Sequence, residues 1–383
     1  MKSNPLPALQ KYGQSFWIDY ISRHLLSTGE LARLVEQDGL RGVTSNPTIF
    51  AQAISRSHDY DEEMAREARE GKEASAVYEA LVTKDVRLGC DILRPVYESS
   101  GARDGFVSLE VNPHLAHDTE GTIIEAMRLF ARVGRPNLMI KVPATPEGVP
   151  AIERLIAAGL NVNVTLMFSL GHYERVADAY MRGLERRVRA GRPVGRAASV
   201  ASLFVSRVDT KVDKLLEAKI NAAPDEDERG RLRPLIGRVA IANAKVMYWT
   251  FKHLFDADGR WPKLAQNGGR VQRLLWASTS TKNPTYPDTY YVEALIGPDT
   301  VDTMPPQTID AFRDHGRVAP TLEEGLDDAL ETLDRLTSAG IDLRRVTEEL
   351  QEEGVASFAK SFDELMAALG EKREAVLCPP LSR

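Results

Sequence analysis

A (β/α)8 TIM barrel of the α/β class, with helical insertions and extra C-terminal helices, is the fold this sequence predicts, and three observations lead to it. Eight short apolar runs rich in β-branched or aromatic residues alternate with longer helical stretches, the pattern of repeated βαβ units. No repeat, low-complexity tract or Pro/Gly/Ser linker divides the 383 residues, so 1–383 reads as one barrel domain. Polar side chains recur at period two within the runs, which puts them on one face of their strands.

The runs, in order, are SFWIDYI (15–21), RGVTSNP (41–47), FVSLEVNP (106–113), NLMIKVPA (137–144), LNVNVTLMF (160–168), ASVASLFVSR (198–207), VQRLLWAST (271–279) and TVDTMPP (300–306). Between the first two, STGELARLVEQDG reads as a helix started by Ser27 or Thr28 and ended by Gly39. TPEGVPAIERLIAAG likewise opens at Thr145-Pro146 and closes at Gly159. Two connections, 48–105 and 208–268, are too long for one helix and read as helical insertions with charged amphipathic stretches. Segment 321–377 adds two or more helices that wrap the barrel.

Composition excludes several classes of function. With 43% hydrophobic and 27% charged residues the chain resembles ordinary globular proteins, and a formal charge of -6 gives no electrostatic case for nucleic acid. No apolar run reaches the ~18 residues of a membrane span, and the start MKSNPLPALQ lacks the apolar core of a signal peptide. A cytoplasmic protein is inferred. Cys90 and Cys378 stand far apart, so a disulfide or zinc site is not expected, and both are read as inert. The seven histidines form no metal pattern, and no GxGxxG or GxxxxGK[ST] loop occurs. Neither metal nor cofactor is expected.

The fourth run holds a lysine, Lys141, between Leu-Met-Ile and Val-Pro. Lysine is among the residues least often buried, and a desolvated amine is costly unless paired or neutral. Alone, a strand lysine more often snorkels to solvent than reacts. The other runs change that weighting. Asp19, Thr44 and Asn46, Ser108 with Glu110 and Asn112, Asn163 with Thr165, and Ser202 repeat the parity of Lys141 on five further runs. Such a polar interior would be expensive as mere structure, whereas the C-terminal ends of barrel strands are where these folds place their chemistry. A lysine in a water-poor pocket has its ammonium form disfavoured and becomes nucleophilic. Without metal or cofactor its natural reaction is imine formation with a ketone or aldehyde. The protonated imine permits cleavage of the neighbouring carbon–carbon bond, with Asp19 and Glu110 as candidate proton shuttles.

Taken together, WIDY, TSNPTIF, SLEVNP, MIKVPAT, NVNVTLMFS and SLFVSR, in this order, resemble the transaldolase family across roughly the whole chain. The stretch STSTKNPTYPDTYYVEALIGPDTVDTMP resembles its longer bacterial subgroup. The resemblance implies the transaldolase reaction of the pentose phosphate pathway: transfer of a dihydroxyacetone unit from sedoheptulose 7-phosphate to glyceraldehyde 3-phosphate, giving erythrose 4-phosphate and fructose 6-phosphate. It implies that Lys141 forms the imine, Asp19 moves the sugar hydroxyl proton, and Glu110 and Thr165 hold a water. Asn46, Asn163, Ser202 and Thr44 would contact the dihydroxyacetone unit, and Arg207 a phosphate, against the plainer reading of Arg207 as a loop arginine paired to Asp209. Where the shorter family form carries a second phosphate-binding arginine, this chain has ASTSTKN. Lys282 is the nearest cation, with Ser278 or Ser280 sharing the contact. Relatives that release free dihydroxyacetone carry glutamine and tyrosine at the positions of Glu110 and Phe204. The expected partners are thus sugar phosphates, with no nucleic acid or membrane; monomer and homodimer both stay open. The alternatives are a fructose-6-phosphate aldolase-like lyase, a non-catalytic sugar-phosphate-binding barrel, and a pyridoxal-phosphate enzyme using Lys141, for which no glycine-rich phosphate loop is found.

Overall fold

Each of the eight runs contains a strand, and the strands close on one another. The computed structural model describes residues 4–256 and 259–377. In it β1 (Gln14–Asp19), β2 (Gly42–Thr44), β3 (Phe106–Glu110), β4 (Leu138–Pro143), β5 (Asn161–Met167), β6 (Ser199–Phe204), β7 (Arg273–Ala277) and β8 (Thr300–Met304) form a closed parallel barrel in sequence order. The ring shuts where Trp17 of β1 pairs with Thr303 of β8, which leaves no sheet edge exposed. Leu138, Ile140 and Val142 of β4 and Val162 and Val164 of β5 are buried. Alternation then turns Lys141, Asn163 and Thr165 the other way, into the barrel.

Local chemistry sets where strands stop. At Gly42 an added Cβ would lie 2.4 Å from the Trp17 ring, so only glycine lets β2 pass that indole. Two residues beyond β2, Asn46 accepts a hydrogen bond from the Ile49 amide at 2.9 Å and starts the helix Pro47–Arg56. On β5, register shifts between Val164 and Met167, and Leu166 takes a left-handed φ of 53°. This bulge ends the regular pairing just after Thr165, as bulges near working sites often do.

The bottom of the barrel is sealed by charge rather than by branched apolar side chains, which the sequence reading did not anticipate. Arg273 at the start of β7 donates to Ser15 Oγ, to Asp104 Oδ1 and to the Arg103 carbonyl, at 2.7–2.8 Å. Ser15 Oγ in turn donates to Asp104 Oδ2 at 2.8 Å. Every strong hydrogen-bonding group of the cluster has a partner, the condition under which buried ion pairs are tolerated.

Both long connections are helical. The first comprises Pro47–Arg56, Asp61–Arg69 and Ala74–Ser99; the second comprises Val205–Ala222, Glu226–Leu232, Val239–Leu254 and Trp261–Gln266. After β8 and the helix Pro306–His315 come Leu326–Ser338 and a 35-residue helix, Leu343–Leu377. The latter does more than wrap: it crosses the C-terminal ends of the strands, where Gln351 donates to the Leu166 carbonyl at 2.9 Å. No helix among the described residues is long and apolar enough to cross a membrane. Cys90 is buried beneath β3 and unpaired, and burial pushes its thiol up, away from reactivity; Cys378 lies outside the described residues.

One helix start differs from expectation. Ser27 ends a first short helix, Arg23–Ser27, and the Thr28 hydroxyl donates to the His24 carbonyl. Ser22, not Ser27 or Thr28, makes the capping bond, to the Leu25 amide, and Gly29 at φ 80° turns the chain into Glu30–Arg33. Serine and threonine serve either end of a helix, so one apolar stripe concealed two helices. Gly39 at φ 75° does close the segment, and Gly159 at φ 99° closes Gly148–Ala158.

Because Arg273 and Asp104 are buried together, Arg273→Leu is expected to lower the urea-unfolding free energy by about 3 kcal/mol. Arg260→Leu, which removes only exposed pairs to Asp178 and Glu185, should cost less than about 1 kcal/mol. Equal losses would contradict this account of the barrel floor.

Candidate active site

Adjacent strands in register bring the central residues together. Glu110 on β3 pairs across to Lys141 on β4, and Lys141 to Asn163 on β5. Lys141 is only 4% exposed. Its Nζ donates to the Ser45 carbonyl at 2.9 Å and lies 3.1 Å from Glu110 Oε2. The amine therefore points inward, not to solvent, and it opens onto a cavity of about 1150 Å³ at the barrel mouth.

Asp19, Thr44, Asn46, Thr165, Ser202, Arg207 and Lys282 line that same cavity. Thr44 Oγ1 donates to Asp19 Oδ1 at 2.7 Å and meets Thr303 Oγ1 at 2.7 Å. Asn163 is set just behind: its amide donates to Ser108 Oγ, and its oxygen accepts from Ser202 Oγ. Ser202 thereby keeps lone pairs free toward the cavity, whereas both ends of the Asn163 amide are engaged. Asn46 spends its oxygen on the helix cap and leaves its NH2 available. Thr165 Oγ1 is buried with no hydrogen-bonding partner among the described residues, which marks a polar atom reserved for something small.

Asp19 and Glu110 are both held above the ordinary carboxyl range. Burial is the main cause for each, opposed by the Lys141 cation. Thr44, Arg207 and Lys282 further oppose the rise at Asp19, while Asp19 adds to it at Glu110. Two carboxyls with raised affinity for protons beside a buried amine can pass protons in either direction.

Arg207 follows β6 on Val205–Ala222, with its guanidinium 5.1 Å from the Phe204 ring centroid. Among the described residues it makes no hydrogen bond or ion pair. Asp209 is not its partner: that carboxyl accepts from the Ala240 amide and the Tyr291 hydroxyl and is pushed up to about 7, chiefly by burial. Lys282 donates to Ser280 Oγ at 2.8 Å. Burial and the nearby Arg207 cation lower its pKa, while Asp19 opposes. Two neighbouring cations at one mouth, Arg207 lowering the proton affinity of Lys282, suit an anion. Ser278, at φ 55°, accepts from the Ser206 amide, and its hydroxyl meets Ser206 Oγ at 2.9 Å, tying the loop that carries Lys282 to the start of the helix that carries Arg207.

Asn112 shares the parity of Glu110 yet does not join the mouth cavity; Glu110, although 3.1 Å from Lys141 Nζ, also lines the neighbouring cleft rather than the mouth itself. β3 ends at Glu110, and Asn112 turns to accept from the His114 amide, lining a separate cleft with Tyr78 and Phe362. Period two holds only inside a strand. Sequence reasoning missed Thr303: in TVDTM the more polar parity is that of Thr300 and Asp302, and only the pairing of β8 with β1 turns Thr303 toward Thr44. It also missed Ser45, whose contribution is a carbonyl, and Phe358 of the last helix, 5.9 Å from Nζ, for which no local signal exists. Among the described residues, no cluster of three or more histidine, cysteine or carboxylate side chains has the arrangement to hold a metal ion.

The profile of the transaldolase/fructose-6-phosphate aldolase family matches residues 16–369. A transaldolase of Acidothermus cellulolyticus is 48% identical over 373 residues, covering 97% of this chain and 98% of that protein. Transaldolase 2 of a Nostoc species is 46% identical over 375 residues with the same coverage. A transaldolase of Thiobacillus denitrificans is 47% identical over 362 residues, covering 94% and 98%.

The raised Asp19 carboxyl has a consequence for stability. The folded state keeps its proton at pH values where the unfolded chain has lost it, so Asp19 weakens the fold as pH rises from the ordinary carboxyl value through the raised one. Asp19→Asn, which can still accept from Thr44, should therefore be more stable than the parent at neutral pH. Urea melts should show the difference shrinking toward pH ~4, by at most about 1.4 kcal/mol per pH unit. A pH-independent difference would contradict the raised carboxyl.

Proposed function

Because this chain belongs to the transaldolase/fructose-6-phosphate aldolase family, we propose that the mouth of its barrel transfers dihydroxyacetone through an imine at Lys141. The chain is an enzyme, a transferase with transaldolase activity. The observation that carries the site assignment is the buried Lys141 Nζ, at the floor of the mouth cavity and 3.1 Å from a carboxylate.

In this reading the lysine gives a proton to Glu110 and attacks the ketone carbon of sedoheptulose 7-phosphate. The carbinolamine loses water to give the protonated imine. Asp19 then takes the hydroxyl proton, the carbon–carbon bond breaks into the imine, and erythrose 4-phosphate leaves. The enamine that remains attacks the aldehyde carbon of glyceraldehyde 3-phosphate, and Asp19 returns its proton to the new alkoxide. Water held by Glu110 and Thr165 hydrolyses the product imine and releases fructose 6-phosphate; the unpartnered Thr165 Oγ1 supports that role. Thr44, Asn46, Asn163 and Ser202 hold the dihydroxyacetone unit, with Asn163 acting mainly through Ser202. Arg207 and Lys282 take the phosphate, the first with a planar fork and the second as a point charge. Glu110 and Phe204 favour transfer over release of free dihydroxyacetone. The cytoplasm is the compartment we infer, in keeping with a free, buried Cys90.

A coupled assay, run with and without an aldehyde acceptor, tests the reading. Turnover should require the acceptor, and Lys141→Ala should abolish it; turnover without an acceptor would instead mark a lyase. Asp19→Ala should form the imine yet lose roughly 10²–10⁴-fold in product formation, and normal turnover would refute its role. Arg207→Ala should raise KM for phosphorylated donors about tenfold or more; an equal loss on unphosphorylated ketoses would point to another function for the arginine.

A further inference from the structure

We propose that Phe358, on the helix Leu343–Leu377, is a specificity-determining residue that shields the lysine-bound three-carbon fragment from bulk water and so favours transfer over loss as free dihydroxyacetone. The proposal rests on the imine reading above. Phe358 lines the mouth cavity, is 3% exposed, and presents its ring 5.9 Å from Lys141 Nζ. It also packs 6.5 Å from Phe204, which stands 5.4 Å from Phe168. Phe358 and Phe204 both line the cavity, and Phe168 backs them from behind. A phenylalanine that served only to pack the helix would not need to turn toward a charged nitrogen.

The helix that carries Phe358 is fastened over the mouth at several points beyond the strand ends. Gln351 donates to the Leu166 carbonyl on the β5 bulge, and Glu348 meets His172 Nε2 at 3.2 Å. Thr48 donates to Ser361 after β2, and His114 contacts Asp363 after β3. Gly354 lies against the Leu166 side chain, where a Cβ would come 2.8 Å from its Cδ2 methyl. A glycine in a helix interior costs about 1 kcal/mol, so close contact at this point is retained against a penalty.

The chemistry says why water matters there. The bound fragment is an enamine with two fates. If its carbon attacks an aldehyde, a carbon–carbon bond forms and the alkoxide takes the Asp19 proton. If its carbon instead takes a proton from solvent, the resulting iminium adds one water and the carbinolamine expels the Lys141 amine, releasing dihydroxyacetone. Only the second route draws a proton from bulk solvent, and an apolar ring across the mouth offers no group to relay it.

The test compares the parent with Phe358→Ala and Phe358→Leu, using fructose 6-phosphate as donor and erythrose 4-phosphate as acceptor. The readout is free dihydroxyacetone released per three-carbon unit transferred. Phe358→Ala should raise that ratio about tenfold, a difference of about 1.4 kcal/mol between the two barriers, while Phe358→Leu, which refills the seat, should stay within about twofold of the parent. Should the alanine chain fail to fold by circular dichroism, Phe358→Val carries the test, with a rise of roughly threefold expected. A folded variant that still forms the borohydride-reduced adduct but leaves the ratio unchanged overturns the role of Phe358 alone. Absence of that adduct in the parent overturns the imine reading, and this proposal with it.

Discussion

The rest of the site depends on one contact, the approach of Lys141 Nζ to Glu110 inside a closed barrel. Neither charge would be tolerated there alone, since an unpaired buried ion costs several kcal/mol. Direct register between β3 and β4 places the two side chains side by side, and the Ser45 carbonyl accepts a hydrogen bond from the amine. The arrangement leaves the nitrogen oriented by a carbonyl and beside one carboxyl, Glu110, that can receive its proton. That distinguishes a reactive amine from a merely buried one.

Around this contact the barrel separates strength from chemistry. Its floor is a fully partnered cluster of Arg273, Asp104 and Ser15, whereas its mouth keeps polar atoms without partners among the described residues, such as Thr165 Oγ1. Backbone strain follows the same division. Leu166 and Ser278 both adopt left-handed conformations beside the mouth, at a cost on the order of 1–3 kcal/mol each. Each is held by a specific partner, Gln351 for the Leu166 carbonyl and Ser206 for Ser278. The raised carboxyls belong to the same trade of stability for function.

Much of this was legible in the sequence, because both the fold and the site obey short periods. Alternating runs and helices disclosed all eight strands, and parity along each run brought Asp19, Thr44, Glu110, Lys141, Asn163, Thr165 and Ser202 to one interior. Parity failed where strands ended: Asn112, two residues past Glu110, answers to a turn, although Asn46 still reaches the cavity from the start of a helix. Capping residues misled at Ser27, since the same hydroxyl suits a helix end. Contacts without any period stayed hidden. Nothing local announces that Phe358 returns over the amine of a residue more than two hundred positions away, that a backbone carbonyl at Ser45 serves the lysine, or that Arg273 plugs the barrel floor.

The central claim is that Lys141 is the nucleophile that joins the donor sugar covalently. Incubation with fructose 6-phosphate, reduction with borohydride, and peptide mapping by mass spectrometry address it without reliance on turnover. The account predicts a stable dihydroxyacetone-derived adduct confined to the peptide that contains Lys141. An adduct on another lysine, or none under conditions that support transfer, would contradict it.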